Sequence, residues 1–307
     1  MPIHQMLLPS LVVALLWCSC GPGQGGAPQP SAWQLHFRAG EEAQEQGNYL
    51  KAQHSFEDAR SELADPADSR LVPTLQRLAG LHALQGRLAP AESLYTQALA
   101  LAQHLLPRPY RELIALETQT ADFYLDQKNY PKAEALYTQA LAHLEDQADP
   151  RPPQLAGLLN RLAELHLAQG HHGLADSLGK RAMACKLGAQ GYEYYLQGKY
   201  AQAETFYRRA LAIHEKALGD HPELARACRD LGLLYQATGD LTQAETYYRR
   251  ALAIHEKALG DHPELARTLD NLALLLKKSK RDEEAQAAED RARQLRQTTP
   301  IPVQESR

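Results

Sequence analysis

Histidine and cysteine are the side chains of this chain best suited to bind a metal ion, and the sequence has 13 and 4 of them. His171 and His172 are adjacent, but no third ligand follows at a spacing typical of a zinc site. His214 and His255 stand at the same place in two copies of one stretch, so their recurrence reflects a duplication. The sequence therefore predicts no metal site.

The cysteines fall into two groups with different chemistry. Cys18 and Cys20 directly follow an apolar run near the N-terminus, whereas Cys185 and Cys228 belong to the folded part. The spacing of Cys185 and Cys228 matches no metal or redox motif. We expect both to be buried free thiols, with a disulfide between them as the alternative.

Catalysis and nucleic-acid binding each need a recognisable set of residues. The sequence has neither a Gly-rich phosphate loop nor a nucleophile motif. Its net charge is −4, its pI is near 6.4, and its lysines and arginines are spread along the chain. We therefore predict that the protein is not an enzyme, needs no cofactor and binds no nucleic acid.

The elements that must position these side chains come from an internal repeat. The stretch YRRALAIHEKALGDHPELAR occurs at Tyr207–Arg226 and again, unchanged, at Tyr248–Arg267, 41 residues later. Such a period is typical of a stacked array, because one unit cannot bury its apolar face alone. Seven repeats share an anchoring alanine, at Ala52, Ala91, Ala133, Ala175, Ala203, Ala244 and Ala285.

Residue size is fixed at three distances from the anchor. Every repeat has Ala seven residues after it and Gly or Ala twelve residues before it. Small residues at two such places allow two helices to cross closely. Four residues after the anchor, five repeats have an aromatic residue, and the exceptions are Gly179 and Glu289.

This pattern resembles the tetratricopeptide repeat, an antiparallel helix pair with small residues at the crossing and an aromatic residue on the second helix. The spacings of 39, 42, 42, 28, 41 and 41 residues resemble the 42-residue repeats of kinesin light chain, a class also widespread in bacteria. The resemblance implies an all-α fold over residues 33–295. We expect a right-handed α-solenoid of about seven antiparallel helix pairs.

Local signals predict where the helices turn and start. Gly or Asn should take the left-handed conformation between paired helices, at Gly47-Asn48, Gly86-Arg87, Lys128-Asn129, Gly170-His171, Gly198-Lys199 and Gly239-Asp240. Capping boxes are predicted from Asp220 to Glu223 and from Asp261 to Glu264. Exposed ion pairs are predicted between the residues Glu204 and Arg208, and between Glu245 and Arg249.

The junction between repeats four and five is irregular, because anchors Ala175 and Ala203 are only 28 residues apart. The second helix of repeat four and the first helix of repeat five compete for residues 182–191. Gly188 and Gly191 should weaken a fused helix by about 1 kcal/mol each. We therefore expect a shortened helix pair and an irregular step.

The two ends of the chain lie outside the array. An apolar run, Leu7–Trp17, is too short for a membrane-spanning helix and is followed by Cys18-Ser19-Cys20, which resembles a bacterial lipobox. We assign residues 1–20 to a signal peptide with lipidation at Cys20, and leave Cys18 or simple cleavage as alternatives. Residues 21–32 are a predicted flexible tether, and residues 296–307 a disordered tail.

The resemblance also implies which residues line the concave groove, because in this family the residues fourteen and fifteen before each anchor point into it. The candidates for peptide binding are Gln76, Arg77, Gln119, Asn160, Arg161, Arg229, Asp230, Asp270 and Asn271. Their alternative role is that of solvated surface residues. We predict a non-catalytic scaffold for a protein or peptide partner in the bacterial periplasm, attached to the outer membrane by its lipid. The alternative function is a self-assembling, homo-oligomeric module.

Overall fold

A computed structural model of the protein describes residues 30–105, 111–145, 152–218, 221–259 and 263–298. Within these ranges the regular secondary structure is α-helical throughout, which confirms the all-α prediction. The thirteen described helices are α1 Ala32–Glu45, α2 Tyr49–Ser61, α3 Leu71–Leu84, α4 Leu88–Leu105, α5 Arg111–Asp126, α6 Tyr130–Glu145, α7 Pro152–Ala168, α8 His172–Leu196, α9 Tyr200–Leu218, α10 Pro222–Thr238, α11 Leu241–Leu259, α12 Pro263–Lys278 and α13 Asp282–Thr298.

The chain has two compact parts, Met1–Glu62 and Leu63–Arg307. In the first part α1 packs against α2. In the second part each helix from α3 to α13 packs against the next one along the chain. The helices of the second part thus stack in chain order, as in an α-solenoid.

The turns between paired helices use the left-handed conformation, as predicted. All five glycines predicted to take this conformation have a positive φ angle, with values between 71° and 89°. The exception is the turn after α5, where Lys128 rather than Asn129 takes the left-handed conformation, with φ at 59°. Asn129 instead caps α6, because its side chain accepts a hydrogen bond from the Lys132 N–H at 3.5 Å.

Close crossing explains the small residues. Six of the seven anchors are fully buried, as are six of the seven positions twelve residues upstream. A Cβ atom added to Gly232 would lie 2.5 Å from the Tyr248 ring, and one added to Gly191 would lie 2.7 Å from the Tyr207 ring. The aromatic residue of each of these pairs therefore packs directly on the backbone of the preceding helix. Both exceptions to the burial rule, Ala163 and Ala175, belong to repeat four.

The expected shortened helix pair between repeats four and five is wrong. One continuous helix of 25 residues, α8, packs against α7 with its first part and against α9 as well. The missing linker lets the second helix of repeat four run on as the first helix of repeat five. Gly191 lies in this helix because the Tyr207 ring needs the space, and packing on two neighbours offsets its low helix propensity.

The start of α10 differs from the predicted capping box. Its N-cap is His221, whose ring nitrogen accepts a hydrogen bond from the Glu223 N–H at 3.3 Å. The Glu223 carboxylate does not reach back to the cap, because it binds Arg181 at 2.8 Å. Asp220 and Asp261 lie outside the described residues.

Both predicted surface ion pairs are present, since Arg208 donates to Glu204 at 2.8 Å and Arg249 donates to Glu245 at 2.9 Å. The signal peptide, Cys20 and most of the tether and tail also lie outside the described residues. Helices α1 and α13 extend to Ala32 and Thr298, slightly past the predicted array. No described helix is both long and apolar enough to span a bilayer.

Candidate partner-binding site

A cleft of about 430 Å³ opens between α7 and α8, the helix pair of repeat four. It is lined by Asn160, Ala163, Glu164, Leu167, His172, Ala175 and Asp176. Asn160 is one of the predicted groove residues. The others were not predicted as site residues, although the missing aromatic at Gly179 marks this repeat in the sequence.

Gly179 stands in repeat four at the position where the neighbouring repeats have their aromatic residue. In repeats two and three the corresponding residues, Tyr95 and Tyr137, are 2% and 0% exposed. In repeat four a Cβ atom added to Gly179 would find, among the described residues, no atom of another helix within 4 Å. Because no ring covers them, Ala163 and Ala175 are only half-buried. Repeat four therefore has no ring at the place that a tyrosine occupies in the neighbouring repeats.

The walls of the cleft combine acceptors with an apolar surface. Glu164 and Asp176 supply carboxylates and Asn160 supplies an amide, while Leu167 is 55% exposed. Asp176 binds Lys180 at 2.5 Å, in the same helix. Lys and Arg side chains have an apolar stem and a charged head with several donors. The cleft is suited to a side chain of this type.

Arg161 lies next to the cleft in a network that joins three helices. Its Nη1 atom is 3.0 Å from the Asp122 Oδ1 atom on α5, and the Tyr137 hydroxyl of α6 donates to the same oxygen at 2.5 Å. Burial raises the pKa of the Asp122 carboxyl, against the lowering effects of Tyr137 and Arg161. Arg161 is half-buried and already has a carboxylate partner, so its role is to hold α7 on α5.

The predicted groove residues of repeats two and three also bridge first helices. The Gln76 amide of α3 donates to the Gln119 side chain of α5 at 2.5 Å. Both residues are half-buried, as is Arg77. First-helix positions that the sequence placed on one face are therefore neighbours across repeats.

The later groove candidates behave differently from one another. Asp230, Asp270 and Asn271 are half-buried, and Asp270 forms an ion pair with Arg296 of α13. Arg229 is only 3% exposed, with a guanidinium nitrogen 4.0 Å from the Glu264 carboxylate. The prediction that Arg229 projects into an open groove is wrong, because the Arg229 side chain is buried between the helices.

Sequence reasoning missed a buried ionic cluster where α8, α9 and α10 meet. Arg181 of α8 binds the Glu223 carboxylate at 2.8 Å and lies 3.4 Å from that of Glu145. Burial raises the pKa of the Glu223 carboxyl, but the Arg181 hydrogen bond and charge outweigh it, and the pKa lies below its ordinary value. Next to Glu223 lie Cys185 and His214, both buried.

The duplicated stretch builds a second version of this cluster. His255 and Glu264 repeat His214 and Glu223, and their side chains are 0% and 2% exposed. Here Arg226 of α10 binds the Glu264 carboxylate at 2.9 Å. The two clusters differ at one sequence position, six residues before the glycine of each first helix. This position is Cys185 before Gly191 and Arg226 before Gly232. The sequence predicts this difference only if α8 is known to include the first helix of repeat five.

Comparison with known proteins identifies the architecture. The family model of the tetratricopeptide repeat matches residues 112–187, 183–257 and 229–298. No curated protein matches the chain.

Several solved structures are similar to this chain. The putative kinesin light chain of Podosopora anserina, with nearly identical TPR-like repeats, is 20% identical with a TM-score of 0.32, and the match covers 78% of this chain and 100% of that one. The Rap protein complexed with competence and sporulation factor is 17% identical with a TM-score of 0.42, covering 87% and 75%. The TPR2AB domain of yeast Sti1, in complex with pHSP90, is 15% identical with a TM-score of 0.35, covering 87% and 92%.

Proposed function

The chain belongs to the tetratricopeptide repeat family, whose members are generally non-catalytic modules of protein–protein interaction, and we propose that it is a scaffold that binds an extended segment of a partner. The binding surface is the first-helix face around α7. A Lys or Arg side chain of the partner enters the cleft of repeat four.

The observation that carries this proposal is the open tyrosine position at Gly179. A helix pair loses packing free energy when its aromatic residue is absent, because the residues that would line the ring lose their contacts. The acceptors around the opening, Glu164, Asp176 and Asn160, suit a cationic group. A charge-assisted hydrogen bond to such a group contributes about 1.5–3 kcal/mol.

Polar residues of the preceding first helices extend this surface from the cleft towards repeat two. Gln76, Arg77 and Gln119 lie on first helices and are only half-buried. Amide and guanidinium groups in this position can bind the backbone or carboxylates of an extended segment. A segment lying across α3, α5 and α7 would contact several of them together.

The cellular setting is a separate part of the proposal. The apolar run Leu7–Trp17 before Cys18-Ser19-Cys20 supports export and a lipid anchor, with the array in the periplasm and the anchor in the outer membrane. Cys20→Ser should abolish incorporation of labelled palmitate and release the protein from the membrane fraction. Wild-type protein without label would contradict the lipid anchor and leave the scaffold proposal unaffected.

The scaffold is tested by capturing partners from a bacterial envelope extract with the full chain and measuring the affinity of the captured protein for variants. Asn160→Ala and Glu164→Gln should each weaken binding by about tenfold, which corresponds to 1.4 kcal/mol. Arg208→Ala and Arg249→Ala change exposed second helices and should leave binding unaltered. Equal effects of the two groups would contradict the proposed surface, and a captured second copy of this chain would favour self-assembly.

A further inference from the structure

The junction of α8, α9 and α10 contains three side chains with metal-binding atoms. Cys185, His214 and Glu223 are buried, and one possible ligand atom from each lies within 4.8 Å of the other two. They border a cavity of about 30 Å³, which is large enough for a ligand of the size of a water molecule. The geometry points to a site for one divalent cation of the zinc type, which we propose is bound by the Cys185 thiolate, the His214 ring and the Glu223 carboxylate.

The unpartnered imidazole nitrogen of His214 is the second observation that supports a ligand. His214 is 4% exposed, and its Nδ1 atom makes no hydrogen bond within the described residues. This atom lies 3.7 Å from the Glu223 Oε2 atom, close to the roughly 3.5 Å between ligands of a tetrahedral zinc ion. A buried polar atom without a partner is costly, and a metal ion would satisfy it.

The set of donor atoms determines the class of metal. Thiolate, imidazole and carboxylate together suit zinc, whereas magnesium and calcium prefer oxygen ligands alone. Three protein ligands leave the fourth tetrahedral position to a water molecule. Binding releases the Cys185 thiol proton to solvent, and the sulfur and the ion then form the metal–thiolate bond without any change of oxidation state.

The charges next to the cavity favour a cation. Glu145 and Glu223 share the guanidinium of Arg181, which leaves one net negative charge when the thiol is protonated. A divalent ion that displaces one proton adds one positive charge and makes this group neutral. Arg226 also borders the cavity, but its charge is matched by Glu264 at 2.9 Å. Arg181 remains on Glu223 as an outer partner that orients the carboxylate.

The second copy of the repeated stretch provides an internal control. It has the same histidine and glutamate, as His255 and Glu264, but Arg226 takes the place that corresponds to Cys185. The Arg226 guanidinium neutralises the Glu264 carboxylate and supplies no metal ligand. The proposed site is thus specific to the first copy.

The test uses the full chain with Cys18→Ser and Cys20→Ser, so that Cys185 and Cys228 are the remaining thiols, after metal removal with a chelator. Titration with Co²⁺ should produce the near-ultraviolet charge-transfer band of a cobalt–thiolate bond, and Zn²⁺ should displace it. Cys185→Ser should abolish the band and lower the Zn²⁺ affinity at least about 100-fold, beyond what loss of an outer partner costs. Cys228→Ser should keep both.

His214→Asn and His255→Asn form a second matched pair, in which only the first should weaken Zn²⁺ binding. Helical circular dichroism checks that each variant folds, and Cys185→Ala replaces the serine variant if that one does not. A parent protein without the band would overturn the proposal. So would a band that survives in folded Cys185→Ser, or Zn²⁺ binding that both histidine variants retain.

Discussion

The two halves of the continuous helix α8 differ in how closely they pack against their neighbouring helices. The N-terminal half faces α7 across a cleft of about 430 Å³, and its anchor Ala175 is half-buried. The C-terminal half faces α9 with Gly191 pressed against the Tyr207 ring, and anchor Ala203 is fully buried. The helix pairs differ at the position four residues after the anchor, which is Gly179 in one and Tyr207 in the other.

This difference separates the packing that stabilises the array from the surface that we propose binds a partner. Small residues let two helices approach, but the aromatic residue fills the space between them. Where the ring of Tyr207 is present the pair is closed, whereas repeat four, which lacks the ring, keeps an opening bordered by polar groups. Predictions for the closed half therefore concern stability, and predictions for the open half concern binding.

The largest expected effect is at the closed half. Tyr207→Ala removes a ring that is 2% exposed and leaves a cavity against Gly191, so the free energy of unfolding should fall by about 3–5 kcal/mol. Urea denaturation followed by circular dichroism measures this loss. Tyr192→Ala, on the exposed side of α8, is the control and should change stability by less than about 0.5 kcal/mol. Similar losses in both variants would contradict the closed packing.

A smaller effect is expected from the glycine that faces this ring. Gly191→Ala adds a Cβ atom 2.7 Å from the Tyr207 ring, and this overlap should cost about 1–3 kcal/mol despite the better helix propensity of alanine. Gly157→Ala in α7 has open space around the new Cβ atom and should instead stabilise by up to about 1 kcal/mol. Thermal unfolding of the two variants gives the comparison. A stabilised Gly191→Ala protein would mean that α8 and α9 are farther apart than described.

Much of this contrast could be read from the sequence, because it depends on residue size at fixed spacings. The anchors, the glycines at the turns and the failure of the aromatic rule at Gly179 all follow from the repeat. The continuity of α8 could not be predicted from local propensity. Gly188 and Gly191 argue for a break, and only the packing of α8 on two neighbours outweighs them.

The buried cluster was missed for a related reason. Glu223 has the spacing of a capping-box residue, but its carboxylate instead binds Arg181 of the fused α8. The spacing of Arg229 from its anchor matches that of Asn160, which predicts a groove residue, yet Arg229 is buried next to Glu264. Spacing identifies the face of a helix, whereas the neighbouring helices determine how deep each side chain lies.

The most direct test fills the opening between α7 and the N-terminal half of α8. Gly179→Tyr restores the aromatic residue, whose ring should pack on Ala163 as other repeats do, and stability should rise because the ring is buried. The affinity for the partner captured by the full chain should fall at least about tenfold. Glu289→Tyr restores the aromatic residue of the last repeat and should leave affinity unchanged. A Gly179→Tyr protein that is folded and binds the partner as tightly as the wild type would contradict the cleft as the binding site.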